Sequence, residues 1–332
     1  MKSTYIVAEI GNTHEGSIGL AKQFIKVAAE CGVNAVKFQT HIFEAESLTD
    51  APNPPYFKDE TRKQYFERTS FSREEYVLLK EYAEKECGVN FFSSPFSIEA
   101  VDLLLSAGVK TFKIPSGEVS NTPLLEYIAL KADWVILSSG MSNWSELDRA
   151  VNIIKGRCKL TVLQCTSEYP CSPENAGLNV MLEIKDRYQV PVGFSDHTLG
   201  SGIAVASVVL GASFLEKHFT LSKLMYGSDA KNSMEPSEFR ELVLNIRSVD
   251  SALSHFLSKD EKAVSMDEMK VVFEKSIVTA RDIKKGEIIS MSDLAFKKPG
   301  NGIPASEYKN ILGREINRDL EKNTQLELSM LC

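Results

Sequence analysis

The sequence predicts a (β/α)8 barrel followed by a small β-rich domain, and three observations carry that expectation. Short apolar runs alternate with helical segments eight times within about 255 residues, the size and rhythm of such a barrel. Each apolar run ends in polar, chemistry-bearing residues. The last two runs, 190–194 and 212–215, deliver His197 and His218 on either side of an Ala/Val-rich helical segment, 203–210. As parallel neighbours, these strands bring both imidazoles out at the carboxyl edge, where barrels keep their chemistry. A doubly wound open sheet is the alternative. No GxGxxG follows a strand and no GxxxxGK[ST] occurs, so neither a Rossmann site nor a P-loop is supported.

In order, Tyr5-Ile6-Val7-Ala8-Glu9-Ile10 reads as a buried strand, broken by Gly11-Asn12. Residues 18–31 have helical spacing, with Leu20, Phe24, Val27 and Ala28 on one face and Gly32 as the stop. Further strands are expected at 35–39, 90–94, 111–114, 134–138 and 160–165, before the two histidine strands. Helical segments centre near residues 80, 102, 126, 148, 183 and 206, and a last helix covers 236–256. Residues 41–70 make one connection too long for a simple turn. Its aromatics and Pro52-Asn53-Pro54-Pro55 favour an ordered flap.

The barrel is expected to span 1–257, a polar linker 258–270 and the second domain 271–332. In that domain 271–273, 276–280 and 288–289 read as strands, and 282–287 and 296–302 as turns. Some 60 residues are too few for a robust independent core, so this domain is expected to lean on its own barrel or a partner's.

A net charge of −7 argues against nucleic acid or an anionic membrane as partner. No apolar run approaches the roughly 18 residues of a membrane span, and the N-terminus enters a strand without a signal segment. The six cysteines form no CxxC pair, which suits reduced thiols and a cytoplasmic location. Cys165 and Cys171 flank a candidate loop, but neither adjoins a histidine in sequence.

The strand ends supply Glu9, then Lys37 and Gln39, then Ser94, then Lys113 with Ser116 and Glu118. The later ones add Ser138 and Ser139, then Gln164, Thr166 and Tyr169, then Ser195 and His197, and last His218. Two lysines and several hydroxyls can hold a small, multiply charged oxyanion. Two neutral imidazoles at one point suit a divalent transition metal. Glu9 and Glu118 offer acid–base capacity, while Gln39, Tyr169 and Asp229 look like partners for sugar hydroxyls. An anion, a metal and a polyol together point to carbon–carbon bond formation on a carbohydrate. A Schiff-base aldolase with Lys37 or Lys113 as nucleophile is the competing mechanism. It needs no metal, so the two histidines count against it.

These motifs resemble the sialic acid synthase family, which condenses phosphoenolpyruvate with an N-acylated hexosamine to give nonulosonic acids. The stretches that carry the resemblance begin with Ala8-Glu9-Ile10-Gly11, Val36-Lys37-Phe38-Gln39-Thr40-His41 and Phe92-Ser93-Ser94-Pro95-Phe96. They continue with Lys113-Ile114-Pro115-Ser116-Gly117-Glu118, Leu137-Ser138-Ser139-Gly140-Met141 and Cys165-Thr166-Ser167-Glu168-Tyr169-Pro170. Phe194-Ser195-Asp196-His197-Thr198 and Glu216-Lys217-His218-Phe219-Thr220 complete the barrel's set. Lys297-Lys298-Pro299-Gly300-Asn301-Gly302 resembles that family's antifreeze-like (SAF) domain.

The resemblance implies a TIM barrel and a C-terminal SAF domain in a homodimer with exchanged C-terminal domains, each capping the partner's barrel. It implies that His197 and His218 hold Mn²⁺, with Mg²⁺ or Co²⁺ as substitutes. Lys37, Ser94, Lys113, Ser116, Ser138 and Ser195 would surround phosphoenolpyruvate. Glu9, Gln39, Tyr169 and Asp229 would face the sugar, and Glu118 would lie near the attacking water. Lys298 falls where well-known members carry an arginine that reaches the sugar's acyl group. Lysine keeps the charge and loses the planar fork. The acceptor is then N-acetylmannosamine, a 2,4-diacetamido-6-deoxyhexose or a related aldose. Another phosphoenolpyruvate-dependent sugar-acid synthase, such as one making an octulosonate, is the alternative, and the antifreeze-like tail argues against it.

Overall fold

The computed structural model describes residues 3–53, 60–227 and 229–332, so Pro54 and Pro55 of the expected flap lie outside the described residues. The chain divides into two compact units, 1–254 and 255–332.

The first unit is a closed barrel of eight parallel strands in sequential order: Tyr5–Gly11 (β1), Ala35–Thr40 (β2), Asn90–Pro95 (β3), Thr111–Ile114 (β4), Trp134–Ser138 (β5), Lys159–Cys165 (β6), Val192–Asp196 (β7) and Phe214–His218 (β8). Around it run Ile18–Glu30 (α1), Phe43–Glu46 (α2), Arg62–Thr69 (α3), Arg73–Glu81 (α4), Ile98–Ser106 (α5), Thr122–Lys131 (α6), Trp144–Ile154 (α7), Leu178–Tyr188 (α8), Gly202–Val209 (α9) and Pro236–Ser254 (α10). Helices cover the outer face of the barrel, so its strands are buried along nearly their whole length. The helices form where the spacing predicts. In α1 the Ser17 side chain accepts from Leu20 N, Ala21, Phe24, Ile25 and Ala28 face the core, and Gly32 stops the helix at φ +89°.

Two registers position the functional groups. First and last strands close the barrel with Glu9 opposite His218, while β7 meets β8 with Ser195 opposite Glu216. On β1 the pairing with β2 slips between Glu9↔Lys37 and Gly11↔Phe38, a bulge at the carboxyl end. The two histidine strands start two residues later than the apolar runs suggest; His197 follows β7 and His218 is the last residue of β8.

The long connection after β2 holds α2 and α3. Beyond the barrel, the segment expected to be a linker is largely helical, Lys259–Val264 (α11) and Asp267–Phe273 (α12). Val271, Val272 and Phe273 were expected in a strand and lie in α12. A short apolar run carries no period that distinguishes the two states. Ser276–Thr279 (β9) pairs antiparallel with Leu294–Lys297 (β10), so Phe296 and Lys297 are strand residues, not part of a turn. The small helix Tyr308–Ile311 (α13) completes a unit with its own buried cluster, including Ile277, Ile283, Leu294, Ile316 and Leu326. Among the described residues no helix is long and apolar enough to cross a membrane.

Candidate active site

A cavity of about 490 Å³ opens at the carboxyl end of the barrel strands. It is lined by Glu9, Lys37, Gln39, Ser94, Lys113, Ser116, Glu118, Ser138, Tyr169, Ser195, His197, His218 and Asp229, the barrel residues to which the sequence gave a substrate, metal or acid–base role. Lys298 belongs to the second unit, where its ammonium lies 4.9 Å from the centre of the Phe273 ring. Ser139, Gln164 and Thr166, also at strand ends, do not line the cavity. Ser139 Oγ donates to Gln164 Oε1 at 2.9 Å, and Thr166 Oγ1 donates to the Asn175 carbonyl at 2.7 Å, so these residues secure the backbone instead.

The floor is a cluster of four buried charges. Lys113 Nζ donates to Glu216 Oε1 at 2.8 Å, and Lys37 Nζ lies 3.1 Å from Glu9 Oε2 and 3.5 Å from Glu216 Oε1. Lys37 also donates to Ser94 Oγ at 3.2 Å, and Ser195 Oγ donates to Glu216 Oε1 at 3.2 Å. Isolated, any of these charges would cost several kcal/mol to bury; as two cations against two carboxylates they hold one another in place. Burial pushes Glu216 up, but Lys113 and Lys37 outweigh it and bring the carboxyl down to about 2. Glu9 goes the other way: burial raises it, and Glu216 adds to the rise against the pull of Lys37. One carboxylate is therefore firmly ionised and the other holds a proton more readily. The Ser138 hydroxyl is buried without a partner, a donor available to an anion beside the lysines.

Glu216 is the residue that sequence reading missed. Its signal was present: in β8 Glu216 and His218 are two apart and share the inward face, while Lys217 points away. Behind that face Lys217 Nζ donates to Asp196 Oδ2 at 2.6 Å and to the Thr198 carbonyl at 2.7 Å, tying the ends of β7 and β8 together.

The two imidazoles stand with ring centres 5.4 Å apart. His197 Nδ1 donates to the Thr166 carbonyl at 2.7 Å, which fixes the tautomer and leaves Nε2 for a ligand. His218 is kept neutral, lowered to about 4, first by burial, and its Nδ1 is buried without a hydrogen-bond partner, 3.8 Å from Asp229 Oδ2. Cys165 and the Thr166 carbonyl raise His197 against its burial, so His218 is the more readily neutral of the pair, and two imidazole nitrogens held at one point fit a divalent transition metal. Among the described residues no cluster of three or more His, Cys, Asp or Glu surrounds a point, so such an ion would fill its remaining positions with oxygens of water or substrate. Cys165, distant from any histidine in sequence, lines the cavity with Sγ 3.9 Å from His197 Nδ1.

At the mouth, the Tyr169 ring lies 4.1 Å from that of His197 and is half exposed. Gln39 Nε2 donates to Glu9 Oε1 at 3.0 Å. Gly11 makes room here: at φ +58°, a Cβ would sit 3.0 Å from Asp229 Oδ2 and 3.4 Å from Gln39 Nε2. Glu118 accepts from Asn121 Nδ2 at 2.8 Å, and burial, with the nearby Glu46, raises its carboxyl. A raised carboxyl in a cleft is suited to moving protons.

Comparison with known proteins places these features in context. The profile of the NeuB family matches residues 24–257, and that of the SAF domain matches residues 274–331. The N,N'-diacetyllegionaminic acid synthase of Campylobacter jejuni is 40% identical across 97% of this chain and 98% of its own. The N-acetylneuraminate-9-phosphate synthase of Homo sapiens is 36% identical across 96% of this chain and 90% of its own. The crystal structure of N-acetylneuraminic acid (sialic acid) synthetase from Leptospira borgpetersenii aligns with a TM-score of 0.70 at 31% identity, covering 81% of this chain and 93% of that one.

Proposed function

The chain belongs to the NeuB family, and from that premise we propose that it is a nonulosonic acid synthase, condensing phosphoenolpyruvate with an N-acylated hexosamine and releasing phosphate. The observation that carries this reading is the convergence, in one cavity, of two ion-paired lysines, an unpartnered serine hydroxyl and two imidazoles 5.4 Å apart. The acceptor we favour is a 2,4-diacetamido-6-deoxyhexose, in line with the relative named for N,N'-diacetyllegionaminic acid.

In this reading Lys37 and Lys113 supply the charge, and Ser94, Ser116, Ser138 and Ser195 the donors, that hold the carboxylate and phosphate of phosphoenolpyruvate. Glu9, Gln39, Tyr169 and Asp229 orient the open-chain sugar so that its aldehyde carbon faces C3 of the enol. The new carbon–carbon bond takes the enol π pair and leaves C2 electron-poor, while the aldehyde π pair moves to its oxygen, which takes a proton from Glu9, the carboxyl that burial raises, and becomes a hydroxyl. Glu118 takes the proton from the water that adds there, and the C2–O bond breaks, sending the bridging oxygen away with phosphate. A divalent metal, Mn²⁺ first and Mg²⁺ or Co²⁺ as substitutes, would be held by His197 and His218 and would supply Lewis-acid polarisation of the aldehyde. The Schiff-base alternative needs a free amine. The carboxylates of Glu216 and Glu9 outweigh burial at Lys37 and favour its ammonium form, whereas burial lowers Lys113, whose amine is nonetheless engaged with Glu216.

The test is a phosphate-release assay on phosphoenolpyruvate labelled with ¹⁸O at the bridging position, with a panel of acylated hexosamines. Sugar-dependent release with the label in phosphate is expected, abolished by chelation and restored by Mn²⁺. Release independent of every sugar, or label retained in the sugar acid, would overturn the proposed reaction.

A further inference from the structure

His41 and Glu46 line the same cavity and have no part in the mechanism above. His41 is held on both edges and both faces. Nδ1 faces Glu46 Oε1 at 2.8 Å, and Nε2 faces Gln39 Oε1 at 3.2 Å. Because Gln39 Nε2 donates to Glu9, the Gln39 oxygen is the acceptor, so His41 Nε2 carries a hydrogen. The Phe66 ring stacks on one face, 3.8 Å away between centres and 5° from parallel, and the Phe96 ring on the other at 4.0 Å. A ring so confined fixes whatever it bonds to.

What it fixes is Glu46. That side chain is only 8% exposed, yet its second oxygen, Oε2, is buried with no partner. A buried carboxylate oxygen left unpaired is costly unless a donor arrives. The donor has a limited identity. Phosphoenolpyruvate is anionic and would be repelled, and the phosphate-binding groups lie with the lysines. His41 bridges Glu46 to Gln39, one of the residues assigned to the sugar, so Glu46 borders the part of the cavity left for the uncharged substrate.

We infer that Glu46, positioned by His41, is a sugar-recognition residue whose Oε2 accepts a hydrogen bond from a hydroxyl or amide N–H of the acceptor. This rests on the synthase reading above and adds a specificity determinant to it. His41 is a positioning residue: it aims Glu46 and holds the Gln39 carboxamide in one orientation. Sites built to pair a substrate OH or NH discriminate strongly against analogues lacking it.

The experiment varies sugar and phosphoenolpyruvate separately for wild type, Glu46→Ala, the isosteric Glu46→Gln and His41→Ala, with thermal melting to verify folding. Glu46→Ala is expected to raise the KM for sugar at least tenfold and leave that for phosphoenolpyruvate within twofold. Glu46→Gln, which keeps one acceptor oxygen, is expected to fall between the two. A series of deoxy and de-acetylated sugars then locates the contact: for the analogue lacking the donor, wild type and Glu46→Ala should differ by less than twofold. Equal shifts in both KM values, or the same penalty for every analogue, overturn the inference while the synthase reading stands. Wild type that releases no phosphate with any sugar overturns both. If Glu46→Ala does not fold, the same criteria apply to Glu46→Gln.

Discussion

His14 shows what a single buried side chain can do to the stability of the barrel. It is fully buried, stacked 4.4 Å from Phe71, with Nδ1 accepting from Gly16 N and Nε2 unpartnered. Burial, helped by the charge of Arg68, lowers it from 6.5 to about 3. The folded protein therefore refuses a proton that the unfolded chain takes up. The stability from keeping the ring neutral is present above pH 6.5 and is lost as the pH falls from there toward 3. One proton gives a slope of about 1.4 kcal/mol per pH unit. Unfolding of wild type and His14→Phe followed across pH 7 to 4 should show a shallower acid limb in the variant. Identical limbs would place the acid sensitivity elsewhere.

At the scale of elements, the carboxyl end of β1 is the most constrained. Its bulge turns Gly11 to positive φ and lets Asp229 and Gln39 close around it. Gly11→Ala adds backbone strain of about 1–2 kcal/mol and forces the Asp229 carboxylate aside. A Tm lower by a few degrees is expected, together with a fall in sugar-dependent turnover of at least tenfold. Unchanged turnover would show that Asp229 is not required where it stands. The strands were legible because each is a short apolar run ending in a polar group, and the barrel repeats that pattern. Glu216 was not, because it reads as one more charge before Lys217 and His218 until the inward face is counted by twos. The proximity of Cys165 to His197 depends on β6 lying beside β7, which no local pattern states. In the second unit β10 was hidden by turn-like chemistry, Lys297-Lys298-Pro299-Gly300, whose first residue pairs with Ser276 across a long stretch of chain.

For the whole molecule, the second unit owns a buried core, and its helical segment leaves Val264, Met269, Val272 and Phe273 largely exposed. We propose the exchanged dimer, with Lys298 of each chain serving the sugar site of the other. With Lys298→Ala first measured to be severe on its own, mixing it with His218→Ala chains should restore activity once subunits exchange, because one complete site forms per mixed dimer. Exchange verified by mass without recovery would sink the proposal.

The barrel's closing seam has a consequence in time. One edge of β1 pairs with β2 almost as soon as both are made, but its other edge belongs to β8. About 200 residues separate the end of β1 from the start of β8. At the pace of translation the free edge waits roughly 10–40 s for its partner. During that interval Ile6, Val7, Ala8 and Ile10 sit beside an unpaired row of backbone donors and acceptors, a template for another nascent chain. The strand that places Glu9 against His218 is thus the first of the barrel's strands in the chain and the last to be paired on both edges.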